Sequence, residues 1–434
     1  MSVVGAGLAV AFTAGTLGTL AGLLAPRRLR PAATGGAVAV TGGAAVVAGV
    51  AAMGGQAWSL ALPWLVPLVG VDLAADRLGG FFVAVAGAVA GVGVYATAYT
   101  RGGLDGRAPQ AVLPLFVLSL LLVPLAASIG TLLLCWELMA LTSLLLVLAE
   151  HTRRAEVATA GRWYAVMTHL GFAAVAVGLL VLSAPAASGG FAAVRATAPA
   201  LPPGVAGLAF VLCVLGFGSK AGILPLHAWL PRAHPEAPSH VSALMSAAMV
   251  NLGCYGIVRV GADLLGGGPA WWWLVVLGLG AASAVHGILQ AAVGSDVKRL
   301  LGHSTTENTG LVLVGVGASG LFAASGAPGP ATLALTAALL HLATHAAFKT
   351  LLFLAAGSVV HATGTRDLDR LGGLRRAMPL TTAAFGAGAF AAAALPPGPA
   401  FVSEWLLLQA LVHGFPRPGW WPRSCCRSRS PPSR

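Results

Sequence analysis

Charged residues are scarce in this chain of 434 residues, since Asp, Glu, Lys and Arg together make up 9% of it. Soluble domains carry about 25% charged residues, so an ordinary water-soluble domain is excluded. Hydrophobic residues make up 57% of the sequence. Apolar stretches of about 20 residues, each long enough to cross a bilayer as a helix, recur along it. The sequence predicts an all-α, polytopic membrane protein of about 12 transmembrane helices.

Cysteine is also sparse, with five residues in the chain. None of them forms a CxxC pair, and their spacing matches no zinc, iron–sulfur or haem-attachment site. We therefore expect no cofactor and no metal ion. A chain that is itself a redox enzyme is correspondingly disfavoured.

The apolar stretches define twelve expected spans, of which the last two are long enough to be broken, tilted or to project beyond the bilayer. Pro396 and Pro397 fall inside the twelfth. Proline removes a backbone donor and clashes with the preceding turn, so we expect a break there. The expected spans are 2–25, 33–53, 78–99, 111–128, 130–149, 160–183, 204–230, 238–261, 271–293, 302–323, 331–361 and 377–413.

Basic residues follow this layout instead of forming one patch. Connections after even-numbered spans hold only Arg77, Arg195 and Arg259. Connections after odd-numbered spans hold Arg27, Arg28, Arg30, Arg101, Arg107, Arg153, Arg154, Arg162, Arg232, Lys298, Arg299, Arg366, Arg370, Arg375 and Arg376. The alternation matches the positive-inside rule with the N-terminus outside. The formal net charge of +12 therefore follows topology and does not indicate a nucleic-acid partner.

Charged residues also lie within apolar spans, where a charge costs about 2.5–3.5 kcal/mol on insertion scales and is functional by default. Glu137 lies in the fifth span and Lys220 in the seventh. Pro225 follows Lys220 closely and predicts a helix break, as in transporters with discontinuous helices. His227 would lie on the same face as Lys220 if the helix continued. We expect Glu137 and Lys220 to form a coupled ion pair, because pairing lowers the cost of both charges.

A polar segment follows, in which His234, Glu236 and His240 are interspersed with prolines. Two interpretations are open, namely a set of metal ligands and a solvated loop. The spacing matches no familiar metal site, so the loop is favoured.

The eleventh span carries His341, His345 and Lys349 at positions i, i+4 and i+8, which places them on one helical face. A neutral imidazole accepts at one nitrogen and donates at the other, so this row predicts a proton relay. Glu404, just beyond the break in the twelfth span, is expected to end the route. Packing or helix-end roles and functional roles stay equally open for His169, His303 and Glu307.

The breaks in the seventh and twelfth spans lie five spans apart, which suggests two inverted five-helix repeats. A basic tail follows them, with too little apolar surface to fold, and a frameshift explains it equally well. The expected division is residues 1–107 for helices 1–3, 108–261 for the first repeat, 262–415 for an incomplete second repeat and 416–434 for the disordered tail.

Motifs around these residues resemble those of the antiporter-like membrane subunits of respiratory complex I, multisubunit sodium/proton antiporters and membrane-bound hydrogenases. The most specific is KAGILPLHAWLPRAHPEAPSHVSALMS, which starts at Lys220. WELMALTS, KRLLGHSTTENTG, HLATHAAFKTLLFLAAGSV and FVSEWLLLQALV support it. HPEAPSHVSALMS and ENTG favour the hydrogenase-4 and formate hydrogenlyase branch. The resemblance covers roughly residues 70–413.

The resemblance implies a fourteen-helix fold, truncated here, with broken helices 7 and 12 and two inverted repeats that each form a half-channel. The family's essential glutamate falls on Glu137, and the lysine of its broken seventh helix falls on Lys220. Its later polar positions fall on His341, His345, Lys349 and Glu404. Asn251 stands where many members carry a titratable residue, so the link between the half-channels would run through water there.

The implied function is that of a proton-translocating membrane subunit of a redox-driven complex in the cell's inner (plasma) membrane. Other membrane subunits and a peripheral redox arm, of hydrogenase or NADH dehydrogenase type, would be its partners. Buried Glu, Lys and His side chains would carry the proton without a cofactor. A subunit of a sodium/proton antiporter without redox partners is the alternative, and an inactive, truncated copy is a third.

Overall fold

A computed structural model describes residues 2–67, 69–152 and 154–414, and the expected tail at 416–434 lies outside them. The described chain is almost entirely helical. Its α-helices are α1 Val3–Leu24, α2 Arg30–Met53, α3 Arg77–Val89, α4 Val92–Tyr99, α5 Arg107–Leu125, α6 Ile129–Val147, α7 Ala155–Ser183, α8 Phe191–Thr197, α9 Pro203–Ala221, α10 Leu230–Glu236, α11 Ser239–Leu244, α12 Val250–Val258, α13 Ala270–Ala292, α14 Val297–Ala324, α15 Pro328–Thr363, α16 Leu374–Ala377, α17 Pro379–Ala392 and α18 Pro399–Gly414.

Eleven helical segments of the described chain are long and apolar enough to cross a bilayer. They coincide with the first eleven expected spans, counting α3 with α4 and α11 with α12 as single segments. The twelfth is divided into α17 and α18, of 14 and 16 residues. Pro396 and Pro397 lie between them, so the predicted break in the twelfth span is confirmed.

The seventh span is also broken, as predicted, because α9 ends at Ala221 and no α-helix resumes before Leu230. Gly222 ends the helix in a left-handed conformation with φ of 70°. A Cβ there would lie 2.3 Å from Cδ1 of Leu230, so only glycine fits. The Trp229 indole donates to the Ser219 carbonyl at 2.7 Å and ties the two sides of the break together.

In the segment Ser239–Leu264, which contains α11 and α12, residues 239–261 are all buried. The segment includes two π-helical turns, Met245–Met249 and Arg259–Leu264. Such turns are frequent at functional sites. This segment contacts α9 on one side and α15 on another, so it separates the helix of Lys220 from the helix of Lys349.

A short antiparallel hairpin joins α2 to α3, and the sequence did not predict it. Strands β1 Trp58–Leu62 and β2 Val71–Ala75 pair with Trp58 opposite Ala75. The partly buried β2 strand continues to Asp76, which caps α3 by accepting from the Gly79 amide at 2.6 Å.

Ion pairs link the connections at one end of the bundle. Arg27 pairs with Asp105 at 2.6 Å, and this hydrogen bond lowers the pKa of the Asp105 carboxyl. Glu236 pairs with Arg154 and, at 3.1 Å, with Arg366. Each of these pairs joins connections that follow odd-numbered spans, as the predicted alternation requires.

A second set of ion pairs lies on connections after even-numbered spans. Arg259 contacts Asp76 at 2.6 Å and Asp263 at 2.7 Å, and Arg195 contacts Asp263 at 2.6 Å. Burial acts to raise the pKa of Asp76, but the hydrogen bond and charge of Arg259, together with the Gly79 amide, outweigh it and hold that pKa below its usual value. Within the described chain no ion pair joins this set to the first, which agrees with two separate membrane faces.

Candidate functional site

Lys220 lies at the end of α9 with 3% of its surface exposed. Its Nζ donates to the Tyr164 hydroxyl at 3.2 Å and to Thr168 Oγ1 at 3.3 Å. Both partners lie one turn apart on α7. Within the described chain no carboxylate lies in ion-pair contact with Lys220, and its contacts are two neutral hydroxyl groups and the Tyr164 ring.

Glu137 does not pair with Lys220, so the predicted direct contact is wrong. Its Oε1 lies 3.1 Å from His169 Nε2 instead. The reason is the position of α7, which packs against both α6 and α9. Thr168 and His169 are consecutive on α7, and they contact Lys220 and Glu137 respectively. Functional coupling between Glu137 and Lys220 remains a prediction, and it would have to pass through α7.

His227 lies in the break between α9 and α10 and does not extend the face of Lys220. Its ring contacts His286 of α13 with centroids 4.8 Å apart. Both rings line an open cavity together with His303. The structure therefore separates His227 from the interior residues with which the sequence grouped it.

The polar segment after the break is buried, so its interpretation as a solvated loop is wrong. His234 is 0% exposed, and His240 is also buried. Glu236 is enclosed by its ion pairs with Arg154 and Arg366. The described residues contain no group of three potential ligands that could hold a metal ion, so the metal interpretation gains no support.

His234 occupies a central position in the interior. Its ring stacks on Phe353 of α15 with centroids 5.1 Å apart and lies 6.4 Å from the ring of Trp229. Neither ring nitrogen has a hydrogen-bond partner in the described chain. His234 also interacts electrostatically with Lys349.

Lys349 is fully buried at the middle of α15. Its Nζ donates to the Leu301 carbonyl at 3.0 Å, and the charge of Glu307 acts on it from α14. His345, one turn earlier, is also fully buried, and neither of its ring nitrogens has a hydrogen-bond partner in the described chain. Both side chains point inward, as a relay requires.

His341 connects three helices. Its Nε2 lies 3.1 Å from Asn308 Oδ1 on α14, and its Nδ1 lies 2.9 Å from Ser403 Oγ on α18. The Asn308 amide donates to Glu307 Oε2 at 3.1 Å, which leaves its Oδ1 to accept from His341. When His341 is neutral, its Nδ1 accepts a hydrogen bond from the Ser403 hydroxyl. When His341 is protonated, its Nδ1 donates to Ser403, and the Ser403 hydroxyl donates to the Ala400 carbonyl.

Glu404 follows Ser403 on α18 and is partly buried. Its carboxylate interacts electrostatically with Glu307. Glu307, for which the sequence left packing and function equally open, therefore acts on both Lys349 and Glu404. It is the residue that connects the two ends of the predicted route.

Asn251 follows the first π-helical turn of the central segment and is buried. Its Nδ2 donates to the Ala247 carbonyl at 2.7 Å, while its Oδ1 has no partner in the described chain. An amide cannot titrate, so Asn251 can only orient a neighbouring donor such as a water molecule.

A row of aromatic and titratable groups lies between the two lysines, and we call it the buried row. Its members are Lys220, Tyr164, Trp229, His234 and Lys349. Tyr164 lies 4.9 Å from Trp229 between ring centroids, and Trp229 leads to His234. None of these contacts involves Asn251 or an ion pair. The sequence identified its two lysines and missed His234, because a proline-rich polar segment looks like a loop.

Broken helices with buried lysine and histidine residues define the class of antiporter-like membrane subunits. The chain belongs to the family of NADH:quinone oxidoreductase/Mrp antiporter transmembrane proteins, whose profile matches residues 126–417. The resemblance inferred from the motifs is thereby confirmed.

Two curated relatives and one solved structure illustrate the similarity. An uncharacterized Mycobacterium tuberculosis protein is 60% identical over 354 residues, which cover 81% of this chain and 54% of that protein. Hydrogenase-4 component B of Escherichia coli is 38% identical over 347 residues, or 79% of this chain and 51% of the relative. The chain thus spans about half the length of these relatives. The Mrp complex from Dietzia sp. matches with a TM-score of 0.81 at 22% identity, over 95% of this chain and 75% of its own, which shows a shared fold.

Proposed function

We propose that this chain is a proton-translocating membrane subunit of a redox-driven complex, and that the titratable members of the buried row, Lys220, His234 and Lys349, carry the proton with water molecules between them. The observation behind this is the burial of Lys220 and Lys349 without a contacting carboxylate, with His234 between them. Such amines can gain and release a proton as a neighbouring charge changes. The row therefore has the chemistry of a switchable relay.

The proposed partners are other membrane subunits and a peripheral redox arm that holds all the redox cofactors. The similarity to hydrogenase-4 component B supports a redox partner. We place the end that carries Arg27, Arg154 and Arg366 toward the cytoplasm of the inner membrane, which leaves the N-terminus outside. Coupling would be conformational or electrostatic.

The test is acidification of inverted membrane vesicles that contain the chain with its partner subunits, energised by the electron donor of the complex. Lys220→Met removes the amine and keeps an apolar stem of similar length. Arg195→Gln is the matched control, because it removes a positive charge from an ion pair outside the row. We expect Lys220→Met to lose acidification by about a hundredfold and the control to keep it.

The same vesicles distinguish the other candidates. A sodium pulse that collapses an existing pH gradient, with no acidification from an electron donor, would favour a sodium/proton antiporter. Donor oxidation without acidification by the unmodified chain would identify an inactive copy. Normal acidification by Lys220→Met would refute the proposal.

A further inference from the structure

An open basic cavity of about 420 Å³ lies outside the buried row, between the break in the seventh span, α13 and α14. It lies where α13 ends and α14 begins, on the same end of the bundle as the first set of ion pairs. Its polar lining consists of His227, Arg232, His286, Gln290, Arg299 and His303.

The ionisable residues that line this cavity are all basic. Its described lining includes two arginines, three histidines and an amide, and no carboxylate. Guanidinium groups stay charged at any accessible pH and match phosphate oxygens with two parallel donors. Nδ1 of His227 and Nδ1 of His303 are buried and have no partner in the described chain. The cavity therefore presents unused hydrogen-bonding groups in a positive potential.

Arg232 is positioned at the rim. Its Nη1 donates to the Ala228 carbonyl at 2.7 Å, and its guanidinium lies 4.5 Å over the Trp163 ring. These contacts restrict the side chain before any ligand binds, which lowers the entropy lost on binding. Arg299, which lines the cavity from α14, is exposed.

An apolar surface adjoins the cavity. On α13, Val285, Ile288 and Leu289 are 60%, 47% and 61% exposed, next to His286 and Gln290. In a polytopic membrane protein such a surface can contact acyl chains while the end of the helix lies at headgroup depth. Basic pockets between transmembrane helices on the cytoplasmic side suit anionic headgroups.

We propose that this cavity binds the phosphate headgroup of an anionic phospholipid, whose acyl chains lie along the exposed face of α13. Free phosphate has the same headgroup chemistry but makes no contact with the apolar face of α13. The proposal does not depend on proton transport, since no cavity residue belongs to the buried row.

The test measures how tightly the full-length chain binds phosphatidylglycerol in phosphatidylcholine nanodiscs at fixed ionic strength, with native mass spectrometry to count retained lipids. The first variant is Arg232→Gln with Arg299→Gln. The second is Gln290→Glu, which adds a negative charge at an exposed lining position. The matched control is Arg375→Gln with Arg376→Gln, because both residues are exposed on the same membrane face outside the cavity.

We expect the arginine pair variant and Gln290→Glu each to bind phosphatidylglycerol at least about tenfold more weakly, and the control to bind like the unmodified chain. Thermal unfolding in pure phosphatidylcholine, unchanged among the variants, shows that the fold is intact. Equal weakening in the control, or none in both cavity variants, would overturn the proposal. Occupation by inorganic phosphate with no preference for phosphatidylglycerol would overturn the lipid assignment.

Discussion

The two buried lysines have different surroundings. Lys220 is held by hydroxyl groups of α7, and the acid of its half, Glu137, lies on the far side of that helix beside the exposed His169. Lys349 is held by a backbone carbonyl, and its acid, Glu307, accepts from Asn308, which leads to the buried His341. Similar residue types thus serve a half whose acid pairs with an exposed histidine and a half, here called the enclosed half, whose acid is linked to buried polar groups.

This difference shows where each half can exchange charge. In the first half, Glu137 and His169 can respond to a charged group that lies against the outer face of α7. In the second half, Glu307 connects through Asn308 to His341 and Ser403, all three of which are buried. We therefore expect the enclosed half to be the more sensitive to loss of a single group.

The largest effect is expected for Lys349→Met. Acidification should fall by about a hundredfold, because the amine that accepts the proton is gone. Stability should stay the same or rise, since an apolar residue in place of a buried charge is often neutral or stabilising by about 1–4 kcal/mol. Thermal unfolding of the purified chain checks the second part. A marked fall in unfolding temperature would mean that Lys349 has a structural role.

The next largest loss of acidification is expected at the acids of the enclosed half, where Glu307 and Glu404 should differ. Glu307→Gln keeps the size of the side chain and removes the charge that acts on Lys349, so acidification should fall by about tenfold or more. Glu404→Gln should cost less, because Glu404 interacts with Glu307, whereas Glu307 acts directly on Lys349. Vesicle acidification by both variants provides the comparison. A larger loss for Glu404→Gln would reverse the order of the route.

A smaller effect is expected at the surface of the first half. Glu137→Gln and His169→Gln should each reduce acidification by several-fold, and the double variant should be no worse than the more damaging single one. Groups that act through one contact are not additive. A double-variant loss equal to the product of the single losses would show that Glu137 acts without His169.

The smallest effect concerns the ion pair at the end of the bundle. Arg27 holds the pKa of Asp105 below its usual value, so this pair stabilises the fold above the unfolded pKa of the carboxyl. The contribution is lost as the pH falls through the lower folded pKa. Asp105→Asn should remove this pH dependence and leave stability near neutral pH almost unchanged, because exposed ion pairs contribute little. Thermal unfolding as a function of pH measures it.

The sequence was informative where a charged residue lies among apolar neighbours. Lys220 and Lys349 stood out because a lysine within an apolar span is expensive, and the prolines near 225 and 396 marked both broken spans. The pairing of Glu137 with His169 could not be predicted from the sequence, because it depends on which face of α7 is turned toward α6 and which toward α9. His286 was not singled out, and only the packing of α13 against the break reveals its part in the basic cavity.

His234 shows the limit most clearly. Its neighbours Pro231, Pro235 and Pro238 gave it the appearance of a loop residue, and burial came from tertiary packing against Phe353. Local pattern cannot report such burial, because it records which residues are adjacent in sequence and not which helices cover them.

The central claim is that one buried row connects both lysines through His234, and His234→Phe tests it most directly. Phenylalanine preserves the stacking between Trp229 and Phe353 and removes both ring nitrogens. Donor oxidation and acidification should be measured together in the assembled complex. The account predicts that acidification falls by about a hundredfold while the unfolding temperature is unchanged. Normal acidification with Phe at this position would contradict it.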